Sequence, residues 1–154
     1  MLFRSGIDAL HRAIEGLICT TAVHICYGYG IQANLDWKKT LGSEWRQYEA
    51  IFPALAKSRI HRISLECANS HVPPHLMALL DGKELMVGVI DVASDVVETP
   101  EQVAATIETA LKYVSKEKLF PCTNCGMAPM RRDIALAKLK ALCAGAALAR
   151  AQHA

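Results

Sequence analysis

Val23-His24-Ile25-Cys26-Tyr27-Gly28-Tyr29-Gly30 reads as a short β-strand running into a glycine-rich turn. Side chains alternate faces along a strand, so His24 and Cys26 point the same way and Ile25 the other. An imidazole and a thiolate side by side at a strand end supply half of a tetrahedral zinc site. Two later segments can supply the rest: Ile63-Ser64-Leu65-Glu66 and the turn Cys122-Thr123-Asn124-Cys125-Gly126. The competing interpretation is a buried strand with a core histidine and a free cysteine, and the pair alone leaves both open.

Outward from this stretch, the chain alternates strand and helix patterns. Ile18 to Cys26 is almost continuously apolar, as a parallel strand buried on both faces is. Before it, Ile7, Leu10, His11 and Ile14 recur at helical spacing between Gly6 and Gly16. After it, Asn34 to Lys57 is a long helical stretch whose face is Leu35, Leu41, Trp45, Tyr48, Ile51 and Phe52, with Gly42 and Pro53 as breaks. Strand two is Arg59 to Cys67, and a short helix starts at Pro74 and stops at Asp81-Gly82. Strand three is Glu84 to Val92. Thr99-Pro100-Glu101-Gln102 is a capping box opening a helix to about Val114. Strand four is Leu119 to Pro121, and an alanine- and leucine-rich helix runs from about Met130 to Ala151.

A helix followed by four strand–loop–helix units predicts a parallel sheet with right-handed crossovers. A complete (β/α)8 TIM barrel takes about 250 residues. The expected fold is therefore α/β, the C-terminal half of such a barrel, with residues 1–154 as a single partial domain. A small open α/β sheet is the alternative. Every candidate ligand falls at the C-terminal end of a predicted strand, the face on which barrels carry their sites. Such a half has two unpaired sheet edges and is expected to expose an apolar inner face, which predicts a homodimer or a complementing N-terminal half.

Composition narrows the function classes. With 52% hydrophobic and 21% charged residues the chain is of the folded, globular kind. A net charge of +2, with basic residues scattered, offers no footprint for nucleic acid or an anionic membrane. No apolar run is long enough to span a membrane, and an acid and a base interrupt the first residues where a signal peptide is apolar. The six cysteines lie within apolar segments, which fits a reduced, cytoplasmic setting with some as ligands and others as small core residues.

His-x-Cys at His24 and Cys26, Ile-Ser-Leu-Glu ending at Glu66, Gly88-Val89-Ile90-Asp91 followed by Val97-Glu98, and Asn124-Cys125-Gly126 together resemble the C-terminal catalytic barrel of the cobalamin-independent methionine synthases. The resemblance runs from about Ile7 to the end. It implies a zinc ion (Zn2+) held by His24, Cys26, Glu66 and Cys125, and methyl transfer to the thiol of homocysteine to form methionine. The donor it implies is methyltetrahydrofolate or another methyl carrier. Asp91 is the candidate catalytic residue contacting substrate; a buried aspartate capping loop amides is its bland counterpart. Cys26 and Glu66 are 40 positions apart, which looks like the short, core-type branch with an inserted helical stretch. Ala93 stands where two-barrel members carry a histidine, a suspected proton donor, and Cys122 makes an extra Cys-x-x-Cys with Cys125.

Other residues have plainer interpretations beside functional ones. Asn69, Ser70 and His71 sit on the active face, where loop polarity explains them. His71 with His75 can pair on a metal or be solvated, Cys19 and Cys143 are expected in the core, and Trp37, Trp45 and Tyr48 are expected to pack. Tyr27 and Tyr29 either line the pocket or pack. Two other functions compete: a related zinc-dependent thiol alkyltransferase such as a coenzyme M methyltransferase, which lacks a glutamate ligand, and a non-catalytic truncated zinc-binding module.

Overall fold

The computed structural model describes residues 2–29 and 31–153; Met1, Gly30 of the predicted glycine turn and Ala154 lie outside the described residues. Four strands, β1 (Ala22–Ile25), β2 (Arg62–Glu66), β3 (Glu84–Ile90) and β4 (Leu119–Thr123), form one sheet in the order β1-β2-β3-β4, every pair parallel. Sequential order without reversal is the topology of a barrel arc, because each right-handed crossover then places its helix on the same face. The helices are α1 (Leu2–Ala13), α2 (Gln32–Lys38), α3 (Phe52–Ala56), α4 (Pro100–Leu111) and α5 (Arg132–Gln152). Short 3-10 turns cover Gln47–Ala50, Pro74–Leu80 and Lys116–Lys118.

Register divides the sheet into two unlike faces. Ile63, Leu65, Leu85 and Val87 are 0 to 4% exposed and pack outward with Phe52, Leu55, Leu76, Val103 and Ile107 in one apolar core. The inner face carries His24, Arg62, Ser64, Glu84, Met86, Phe120 and Cys122, with Arg62 paired to Glu84 and its guanidinium 4.5 Å from the Phe120 ring centroid. The expectation of an apolar inner face is thus corrected: polar and charged groups interrupt it on β1, β2 and β3.

The Thr99 capping box forms as the sequence predicts, with Thr99 Oγ1 accepting from Gln102 N–H and the Gln102 side chain accepting from Thr99 N–H. The long helical stretch does not persist. Gly42 takes a left-handed φ of 75°, which ends the first piece, and Pro53 lies in the first turn of α3 and opens a helix instead of breaking one. Strand one begins at Ala22, not Ile18, so Cys19 lies exposed in the preceding loop. Cys143 is exposed as well, because α5 turns Lys138, Ala141, Gly145 and Ala149 inward and Cys143 away. The expectation that both are core cysteines is corrected.

Helix α5 crosses α4 at close range through Gly145. A Cβ there would meet Val103 Cβ at 2.4 Å and the Pro100 carbonyl oxygen at 2.7 Å. Backbone on one side and a β-branched side chain on the other leave no cheap relaxation. Gly145→Ala is expected to destabilise the chain by about 2 kcal/mol, read as a lower midpoint in urea unfolding with an unchanged slope.

Candidate metal centre

The C-terminal end of the sheet brings His24, Cys26 and Cys125 together, with ligand atoms all within 4.8 Å of one another. They come from β1, the residue after it and the turn after β4, with Cys26 and Cys125 99 positions apart. Among the described residues no other group of three or more metal-ligating side chains gathers in this way. Cys26 Sγ and Cys125 Sγ are 3.9 Å apart. That is too long for a disulfide and matches two thiolates sharing a single tetrahedral ion.

Two of the three members are held from behind. His24 Nδ1 is 2.9 Å from Ser64 Oγ, its direct register partner on β2. That contact orients the ring and leaves Nε2 as the free donor. Gly28 N–H donates to Cys26 Sγ at 3.4 Å; Gly28 has φ of 79°, the left-handed turn that folds its amide back. Burial raises the Cys26 thiol above the usual cysteine range, the Gly28 amide lowers it, and Cys125 and Glu66 add to the rise. A bound cation would reverse that balance.

Glu66 stands beside this group but not within it. It is 3% exposed, and its Oε1 accepts from Tyr27 N–H at 2.9 Å while Oε2 accepts from the Tyr29 hydroxyl at 2.5 Å. Burial and Glu66 push the Tyr27 phenol up to about 12 and the Tyr29 phenol higher still, so both stay protonated. Tyr27 packs against Trp37, Trp45 and Tyr48, the aromatic side of the inserted stretch. The Trp45 backbone N–H donates to the His71 carbonyl and the His71 ring lies 4.9 Å from the Trp45 ring, so His71 braces the insertion.

Asp91, 9% exposed, spends its carboxylate on the loop: Oδ1 accepts from Ala93 N–H at 2.8 Å and Oδ2 from Asn69 Nδ2 at 3.1 Å. Its own N–H donates to Glu98 Oε1, and Glu98 is paired with the fully buried Lys138 of α5. Lys138 also donates to Val96 O, so all three ammonium protons are used and the loop after β3 is clamped.

Asn124 belongs to a motif the sequence singles out, but its own role is visible only in the fold. It is fully buried; Oδ1 accepts from Cys67 and Ala68 N–H, and Nδ2 donates to Ala68 O and Tyr29 Oη. Its side chain crosses β3 at Gly88, where a Cβ would lie 2.4 Å from Asn124 Oδ1. A glycine inside an apolar strand is the available signal of such an approach. Beside the centre an inner-face groove of about 370 Å³ is lined by His24, Ser64, Met86, Cys122 and Cys125. Cys122 faces this groove but stays outside the 4.8 Å group.

A family model described as the catalytic domain of cobalamin-independent synthases matches residues 43–148. The chain belongs to that family. It is 28% identical over 145 residues to a methionine synthase of Sulfurisphaera tokodaii, covering 94% of this chain and 38% of that protein. It is 29% identical over 147 residues to a methionine synthase of Saccharolobus islandicus, covering 94% and 39%. The solved structure of a B12-independent methionine synthase from Shewanella sp. W3-18-1 in complex with selenomethionine superposes with a TM-score of 0.91 at 63% identity, over 96% of this chain and 43% of that one. The chain therefore spans about two fifths of the length of these family members. Its four-stranded arc is half of their barrel.

Two outcomes follow from this geometry. Asn124→Ala leaves the Cys67 and Ala68 amides unpaired inside the protein, and is expected to cost about 3 kcal/mol in urea unfolding. Burial pushes the Cys67 thiol up to about 12 and the Cys122 thiol up to about 11, whereas Cys19 and Cys143 are exposed. In the metal-free chain at pH 8, iodoacetamide followed by peptide mass mapping is expected to label Cys19 and Cys143 first and Cys67 last, with labelling of Cys67 and Cys122 accelerating as pH rises.

Proposed function

We propose that this chain is the metal-binding half of a methyltransferase that moves a methyl group onto the thiol of homocysteine, forming methionine. The observation that carries this is the convergence of His24, Cys26 and Cys125 to within 4.8 Å at the C-terminal face of the sheet. We assign the metal as Zn2+, with Glu66 as the fourth protein ligand when the thiol site is empty. Two sulfurs about 2.3 Å from a tetrahedral zinc lie roughly 3.8 Å apart, and the observed sulfur separation of 3.9 Å supports that assignment. The donor set, one imidazole and two thiolates, is of the soft kind that suits zinc.

Zinc, when bound, stabilises a coordinated thiol as its thiolate, the nucleophilic form that a free thiol with pKa of about 8.5 only partly supplies at neutral pH. The chain's own residues do the rest. Ser64 holds the His24 ring, Gly28 holds Cys26, and two thiolates with a carboxylate more than neutralise a divalent ion, which keeps a bound sulfur electron-rich. Asp91 presents a buried carboxylate beside Asn69, whose φ of 52° is the left-handed conformation that asparagine tolerates. That carboxylate is assigned to contact with substrate, through the lone pairs that the Ala93 amide and Asn69 leave free.

The remaining groups that bind homocysteine and the methyl donor, methyltetrahydrofolate or another methyl carrier, are assigned to the other barrel half, from a complementing N-terminal half or a second copy. Edge strands β1 and β4 support this, as do exposed Ile18, Leu136 and Leu139. Residues 1–154 are taken as one partial domain. Among the described residues no helix is long and apolar enough to cross a membrane, and we place the protein in the cytoplasm. One observation favours a second member of the same chemistry, an alkyltransferase without a glutamate ligand: Glu66 lies outside the 4.8 Å group.

Metal analysis is expected to find one zinc per chain in the wild type and at least a tenfold loss of affinity in Cys26→Ser. Homocysteine-dependent methyl transfer is expected only when the N-terminal half is added. Zinc binding that is indifferent to Cys26→Ser, His24→Ala and Cys125→Ser would sink the assignment.

A further inference from the structure

We propose that Tyr29 is a positioning residue: with the Tyr27 amide it gives the Glu66 carboxylate a second seat off the metal, and so sets how readily the centre opens to a thiol. This rests on the metal centre assigned above. A carboxylate as buried as that of Glu66 must be met by donors or by a cation. Here each oxygen has a donor of its own, Tyr27 N–H at 2.9 Å and Tyr29 O–H at 2.5 Å. The seat is fixed from outside. Asn124 Nδ2 donates to the Tyr29 oxygen at 3.3 Å, Asn124 adjoins Cys125, and Lys38 Nζ sits 4.5 Å from the Tyr29 ring centroid while donating to Gly28 O. Glu66 also lies within electrostatic reach of Cys26. The seat and the metal position are therefore neighbours that compete for one carboxylate.

The sign of the effect separates this from a structural role. The seat stabilises both states in which Glu66 is off the metal, the metal-free chain and the thiol-bound centre. It does nothing for the state in which Glu66 is coordinated. Removing the Tyr29 hydroxyl should then tighten metal binding when no thiol is present and weaken thiol binding to the loaded centre. The two changes should be equal and opposite, so metal affinity at saturating thiol stays where it was. A tyrosine that merely props the fold would, on removal, weaken metal binding in every condition.

The test uses the full chain, wild type and Tyr29→Phe, loaded with cobalt(II) as a spectroscopic probe, with metal affinity from chelator competition and L-homocysteine affinity from the change in the cobalt d–d and sulfur charge-transfer bands. A hydrogen bond to a charged group predicts about a tenfold change in each constant, in opposite directions. In a Glu66→Ala background the same Tyr29→Phe change should do nothing. Both constants within twofold of wild type, both weakened together, or an effect that persists without Glu66 would each overturn the seat while leaving the metal centre standing. A wild-type chain that binds neither cobalt nor zinc overturns the centre and the seat with it.

Discussion

Direct parallel register is the constraint on which the rest of this molecule depends. Pairing Ala22 with Arg62 and Arg62 with Glu84 commits every second residue of three strands to the same side. One choice of register thus does two things. It sends Ile63, Leu65, Leu85 and Val87 under the helices, where their burial stabilises the fold, and it lines His24, Ser64 and Met86 across the open face. A slip of one residue would expose the core and bury the imidazole together. Fold stability and site geometry are accordingly not separable in this chain.

Register alone does not fix the strand ends, and there a buried amide takes over. Asn124 reaches from the turn after β4 across Gly88 to the amides that follow Glu66. Three of its four side-chain bonds go to backbone groups, so they locate the chain itself and not one mobile side chain. Because Cys125 is its neighbour in sequence, the same amide ties the position of that sulfur to the end of β2, two strands away. A bulge between Gly88 and Ile90 lets β3 bend around it.

The sequence made the alternation legible, and with it the half-barrel and the shared face of His24 and Cys26, since period two and strand-end position are local properties. The Thr99 box was legible for the same reason. What local pattern could not supply was where an element ends when tertiary contacts decide it. Ile18 and Cys19 are as apolar as the strand they precede, yet pairing begins only at Ala22, where β2 becomes available as partner. The stretch from Asn34 to Lys57 has helical spacing and its break at Gly42 was legible, but the packing of its aromatic residues on Tyr27 and His71 was not. That Ser64 holds His24 needed the register, and Asn124's bonds needed the whole sheet.

The character of the inner face bears on what half a barrel can do. Had it been apolar, the arc would bury it against any available surface and the His24–Cys26–Cys125 group would be sealed by association. Instead Arg62 and Glu84 satisfy each other there, and Ser64 and Cys122 stand in contact at 4.0 Å. A face with its polar groups already paired loses little by staying in water, so the pressure to associate comes from the free edges of β1 and β4. Edge pairing closes a barrel by adding strands beside the groove and does not fill the groove itself. His24 and Cys125 line that groove, so pairing at the sheet edges leaves these two side chains facing it.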